Sequence, residues 1–233
     1  MGDSGLWGAP VPLAVALRPQ SLDDVVGQNQ ALVPGGPLRQ LADPHNTGAA
    51  SSLILWGPPG TGKTTLASIV ARASGRTFME LSAVTAGVKD VREVLETARR
   101  DGEMSSRAPI LFLDEIHRFS KAQQDALLPG VENGVVVLIA ATTENPSFSV
   151  ISPLLSRSLL VTLNPLEPQD ITAVIERALR SAQGLAGAIQ LEPEAAADLV
   201  RLSGGDARKA LTALEASVAV AQQRNEGVGR VAV

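Results

Sequence analysis

Apolar and polar positions along the chain change period several times, and each change predicts an element. Leu53, Ile54, Leu55 and Trp56 form a short unbroken apolar run, the pattern of a buried strand. The next apolar positions, Leu66, Ile69, Val70 and Ala73, fall on one face at helical spacing and predict a helix over 63–73. Residues 77–81 read as a second strand, and Val88, Val91, Leu95 and Ala98 form the stripe of a helix over 88–100. Residues 110–113 are uninterruptedly apolar, as expected of a strand covered on both sheet faces. A helix is predicted over 121–132, with Pro129 ending or distorting it. Residues 135–141 and 159–163 complete a set of five strands. Strands alternating with helices predict an α/β fold with a doubly wound parallel sheet.

The pattern shifts at Asn164-Pro165. Beyond it strand signals end, and Ile171, Val174, Ile175, Ala178 and Leu179 share one helical face. Ala207, Ala210, Leu211, Leu214 and Val218 form another stripe, with Asp206 as its N-cap after Gly204-Gly205. The expected organisation is a loosely ordered tail over 1–17, an α/β core over 18–165 and a small helical domain over 166–233.

A chain of 233 residues with net charge −4 can bury a full core and carries no overall basic signature for nucleic acid. It has no cysteine, and its two histidines, His45 and His117, are isolated, which argues against a zinc site. No run approaches the length of a membrane span and nothing resembles a signal peptide, so a cytoplasmic protein is expected.

The chemistry lies between the first strand and its helix. Residues 57–64 read G-P-P-G-T-G-K-T and fill every fixed position of the phosphate-loop motif. Gly57, Gly60 and Gly62 permit close backbone approach and left-handed φ values, while Pro58, Pro59, Thr61 and Thr65 complete the loop and the first helical turn. Backbone N–H groups and the helix N-terminus would hold a phosphate chain. Lys63 would reach the terminal phosphates and the Thr64 hydroxyl would hold Mg²⁺, so ATP and Mg²⁺ are the expected ligand and cofactor. Asp114 and Glu115 follow an apolar strand at its carboxyl end, where α/β sheets bind ligands. Asp114 suits the Mg²⁺ shell, and Glu115 suits orienting and deprotonating an attacking water.

The phosphate loop, the D-E pair and the helical C-terminal domain together resemble an AAA+ ATPase of the clamp-loader-related clade. Within it, L-S-A-V-T-A-G-V-K-D (81–90), D-E-I-H-R-F (114–119), K-A-Q-Q-D-A-L-L (121–128) and A-T-T-E-N-P-S-F (141–148) resemble the RarA/MgsA family, replication-associated recombination proteins that include the eukaryotic Werner-helicase-interacting protein. The likeness runs from about Arg18 to Ala221. It implies Thr143 as sensor 1, with Asn145 as the other candidate, and Ser82 as a polar partner of the catalytic glutamate. It further implies Arg157 as an arginine finger entering a neighbouring subunit, Arg208 as sensor 2 in the lid, and Val26 and Gly27 beside the adenine.

Family members continue past the lid into a region that assembles tetramers, whereas this sequence stops at Val233. Homo-oligomerisation is therefore expected of the full-length family more than of this chain. The resemblance implies a DNA-dependent ATPase of replication-fork maintenance, repair and recombination, associated with the nucleoid, with forked or junction DNA and single-strand-binding protein as partners. Alternatives are a clamp-loader subunit, a Holliday-junction branch-migration ATPase, or a nucleotide-gated module with little turnover.

Overall fold

A computed structural model describes residues 11–46, 50–105 and 107–224, with Arg224 described by its backbone alone. The described elements begin with α1 (Leu13–Ala16) and α2 (Pro37–Ala42), then β1 (Ser52–Trp56), α3 (Lys63–Ser74), β2 (Phe78–Ser82) and α4 (Val88–Ser105). It continues through β3 (Ile110–Asp114), α5 (Lys121–Asp125), α6 (Leu128–Glu132), β4 (Val137–Thr142), α7 (Pro146–Ser149), α8 (Ser152–Leu155) and β5 (Ser158–Thr162). The last described elements are α9 (Pro168–Arg180), α10 (Pro193–Ser203) and α11 (Ala207–Arg224). Two compact units result.

The first unit comprises residues 20–23 and 28–164 and contains the sheet, ordered β2-β3-β4-β1-β5 with parallel pairing throughout. The three inner strands are apolar because both of their faces are covered: Ile110, Leu111, Phe112 and Leu113 are all fully buried. Ile54, Leu111, Leu113, Leu138 and Ala140 share a core with Val91 and Ala98 of α4 and with Leu127 and Leu154. α3 packs against β2, β3 and β4 and ends at Gly75, whose φ of 68° supplies the left-handed C-cap. The outer strand β5 leaves Leu159 and Leu160 about half exposed, as an edge position allows.

The helix predicted over 121–132 is two helices. Pro129 has no N–H to offer the carbonyl of Asp125 four residues back, and its ring crowds that carbonyl. The break accordingly falls between Asp125 and Leu128, with Pro129 in the first turn of α6. Ser120 caps α5 in a capping box with Gln123. The buried Gln124 side chain donates to the carbonyls of Phe119 and Ser149 and accepts from Ile151 N–H. Gln124 of the Q-Q pair thus braces α5 against the α7–α8 segment, while Gln123 donates to Ala86 O.

The second unit comprises residues 11–19, 24–27 and 165–224 among those described. Ile171, Ile175 and Ala178 of α9 pack with Leu199 of α10 and Ala210, Leu211, Leu214 and Val218 of α11. Asp206 Oδ1 accepts from Lys209 N–H at 3.0 Å, the N-cap expected from sequence. The loose tail expected over 1–17 is not what residues 13–17 form, and residues 1–10 lie outside the described set. Leu13 is 6% exposed within the core of this unit, and its N–H reaches Glu215 Oε1. A single apolar side chain taken up by a distant helix leaves no periodic signal in so short a segment.

Candidate nucleotide site

The parallel sheet brings the carboxyl ends of β1, β4 and β3 to one edge, with strands about 4.8 Å apart. Residues 57–62 leave β1 at this edge and lead into α3. Gly60 and Gly62 have φ values of 75° and 92°, which glycine adopts without the Cβ penalty. Gly57 is required for a different reason. A Cβ there would lie 2.3 Å from the backbone oxygen of Leu163, so the loop can leave β1 beside β5 only without a side chain. Gly57→Ala is therefore expected to destabilise the chain by about 1–3 kcal/mol, each kcal/mol lowering Tm by roughly 2–4 °C. A thermal melt superimposable on the parent's would show that this contact relaxes freely.

Gly62 is the N-cap of α3 and offers no side-chain acceptor, and the first helical turn carries no acid. Its initial N–H groups therefore await an anion from elsewhere, which is how a phosphate fits this loop. The Lys63 side chain is folded into the loop, with Nζ donating to the carbonyls of Gly57 at 2.7 Å and Pro58 at 2.8 Å. It is buried, as is Thr61, whose hydroxyl donates to Pro58 O. Pro58 and Pro59 are exposed, and Thr64 and Thr65 are half-buried on the first turn of α3. Gln28, which follows Val26 and Gly27 in sequence, braces the loop. Its buried amide donates to Thr61 O at 3.5 Å and Asn164 O at 2.9 Å, and accepts from Asn164 N–H.

Asp114 ends β3 half-buried, and one of its oxygens accepts from Glu115 N–H at 3.1 Å. Among the described residues no three His, Cys, Asp or Glu side chains gather as a metal cage. One carboxylate and one hydroxyl, Asp114 and Thr64, instead fit Mg²⁺, which keeps waters and takes phosphate oxygens. Glu115 has φ 57° and ψ 46°, a left-handed conformation that costs a non-glycine residue about 1–3 kcal/mol. It opens a 3₁₀ turn, Ile116–Arg118, and its Oε2 lies 3.0 Å from His117 Nε2.

Thr143 lies half-buried one residue beyond β4. Asn145 is exposed and caps α7, its Oδ1 accepting from Ser147 N–H at 3.0 Å. The fully buried Thr142, which sequence reasoning passed over, carries more contacts: His117 Nδ1 at 3.1 Å, Glu144 N–H at 3.1 Å and Glu144 O at 3.2 Å. Ser82 ends β2 in register with Asp114 and is exposed, its Oγ accepting from Val84 N–H.

Arg157 is not at this edge. It directly precedes β5, whose Ser158 pairs with Ser52 at the opposite end of β1. Its guanidinium binds Glu132 Oε1 at 2.8 Å, Pro153 O and Ser156 Oγ, and its side chain remains 43% exposed. Val26, Gly27 and Arg208 belong to the helical unit. Gly27 has φ 81°, and a Cβ there would meet Asp170 Oδ2 at 2.5 Å; Arg208 is exposed in the first turn of α11.

The sheet order, the glycine loop opening a helix and the acids ending β3 define an AAA-class P-loop domain with a nucleotide site. Residues 53–165 match the family described as "ATPase family associated with various cellular activities (AAA)". The chain is 44% identical over 218 residues to replication-associated recombination protein A of Escherichia coli (strain K12), a match covering 93% of this chain and 48% of that protein. It is 55% identical over 218 residues to an uncharacterised AAA domain-containing protein of Mycobacterium tuberculosis, covering 94% of this chain and 47% of that one. It is also 40% identical over 208 residues to the ATPase WRNIP1 of Dictyostelium discoideum, covering 89% of this chain and 23% of that one. A solved structure of the RuvB Holliday junction branch migration motor of Thermotoga maritima is similar with a TM-score of 0.72 and 28% identity, covering 93% of this chain and 69% of that one. The chain belongs to the replication-associated recombination protein A and WRNIP1 family of AAA ATPases, and it spans about half the length of the Escherichia coli and Mycobacterium tuberculosis relatives.

Proposed function

We propose that the chain binds ATP with Mg²⁺ and hydrolyses it in the service of DNA replication and recombination. The observation that carries the chemical part is the meeting, at one edge of the sheet, of the uncapped α3 N-terminus, the folded-in Lys63, and the acids Asp114 and Glu115. The loop N–H groups from Gly60 through Thr65 and the Lys63 ammonium bind the phosphate chain. Thr64 and Asp114 hold Mg²⁺, which when bound neutralises phosphate charge. Glu115 takes a proton from water; the water oxygen bonds to the γ-phosphorus as the bond to the β,γ-bridging oxygen breaks, giving ADP and inorganic phosphate. Thr143 orients the γ-phosphate side, and a neighbouring copy supplies Arg157.

DNA as the partner follows from the names of the relatives, replication-associated recombination protein A above all. The clamp-loader and branch-migration readings are not favoured. The likeness to RuvB is at 28% identity, against 44% to replication-associated recombination protein A.

Titration with a fluorescent ATP analogue tests the binding part. Removing a buried cation from a charged contact costs about 2–5 kcal/mol, so Lys63→Ala should weaken affinity on the order of 10²–10³-fold. Equal affinity in the variant would refute the loop as the phosphate site. For the DNA part, ATP turnover is measured with and without forked DNA; a rate indifferent to DNA in the longer family protein would count against it.

A further inference from the structure

The carboxylate of Glu115 is held by a histidine rather than by the strand-end serine that the resemblance implied. Ser82 is exposed and engaged with its own turn, whereas Oε2 of Glu115 lies 3.0 Å from Nε2 of His117, a ring that is 10% exposed. The other ring nitrogen, Nδ1, lies 3.1 Å from Oγ1 of the fully buried Thr142. A carboxylate only accepts hydrogen bonds, so Nε2 must carry a proton to bind Glu115. In the neutral ring Nδ1 is then bare and must accept. The Thr142 hydroxyl is the group placed to donate to it, since Glu144 N–H already donates to the hydroxyl oxygen at 3.1 Å. The hydroxyl proton has one competing acceptor, Glu144 O at 3.2 Å. Donation to that carbonyl would leave Nδ1 without a donor and favour the tautomer that repels Glu115.

We infer that His117 is the positioning residue for Glu115 and that Thr142 sets its tautomer. The chain Thr142 O–H to His117 Nδ1, then Nε2–H to Glu115, fixes one carboxylate oxygen and leaves the other to receive the proton of water. It also joins the carboxyl end of β4, next to Thr143, to the acid that follows β3, its His117–Thr142 link crossing 25 residues of sequence. The inference rests on reading Glu115 as the general base.

The test compares steady-state ATP hydrolysis and fluorescent-nucleotide binding for the parent chain, His117→Ala, His117→Gln, Thr142→Val and the Thr142→Val/His117→Ala double variant. A misplaced base costs on the order of 10–100-fold in rate, so His117→Ala should lose that much kcat while KM and nucleotide affinity stay within about twofold. His117→Gln, which offers an N–H to Glu115 and an acceptor to Thr142, should recover part of the loss. Thr142→Val should lower kcat in the same direction, and the double variant should be no slower than His117→Ala alone. Unchanged kcat in His117→Ala, a KM rising in step with its kcat loss, no recovery with Gln, or additive losses in the double variant would each overturn the positioning role. Glu115→Gln, assayed in parallel, separates the two levels. If it keeps parental turnover, the reading of Glu115 as base fails; if it alone loses turnover, only the role of His117 fails.

Discussion

Glu115→Gln is expected to lower ATP turnover by about 10²–10⁴-fold while leaving nucleotide affinity near the parent's, because general-base catalysis contributes on that scale. The glutamine has the shape of glutamate and still accepts from His117 Nε2–H at the 3.0 Å contact, so the turn beginning at Glu115 is preserved. An amide cannot take the proton of water, so the chemical step is lost while the phosphate contacts of the 57–65 loop and of Lys63 remain. Separate binding and turnover assays read the two effects independently. Loss of affinity in parallel with turnover would mean that Glu115 holds nucleotide or loop structure instead. Full turnover would remove it from the mechanism.

Arg157→Ala should abolish most of the assembled rate without touching the variant's own binding site. β1 and β5 pair in parallel with Ser52 opposite Ser158, so Arg157 sits at the start of the sheet and Gly57 at its far end. A five-residue strand at about 3.3 Å per residue separates them by roughly 16 Å, more than an arginine side chain spans. The proposed role of Arg157 at a phosphate loop therefore requires a second copy. An arginine entering a site in this way is worth about 10³–10⁵ in rate.

Its ion pair with Glu132 does not withhold it. With both side chains 43% exposed, such a pair contributes at most about 1 kcal/mol. Turnover per chain in the parent should then rise with protein concentration, and Arg157→Ala should lack that rise. Mixing Arg157→Ala with Glu115→Gln should restore activity, because the second variant lends its arginine to the intact Glu115 of the first. No restoration in mixtures that do associate, or a parental rate independent of concentration, would refute action in trans.

How much of this was legible in the sequence follows from the range of each interaction. The inner strands of the sheet were visible because burial on both faces demands unbroken apolar runs, as at residues 110–113. α3 and its loop were visible because helical period and glycine requirements are local, and Gly60 and Gly62 do adopt left-handed φ values. The Asp206 cap was legible for the same reason, as its partner is three residues away. The distortion expected from Pro129 within 121–132 takes the form of a break between Asp125 and Leu128, because a proline disrupts the carbonyl four residues before it.

The working parts of the site were set by contacts that no local pattern encodes. His117 looked like an isolated ring until topology brought it to Thr142, and nothing near Gln28 signals its bond to Asn164, 136 residues away. Leu13 read as tail because its partners lie on helices near the other end of the chain. The sequence by itself determined the elements, the phosphate loop and the acids beside it, since these depend on residues within a turn or a strand of one another. Only the tertiary structure decided which histidine holds Glu115 and which end of the sheet receives Arg157. Strand order and parallel register bring distant residues together, and nothing in the neighbouring sequence specifies that distance.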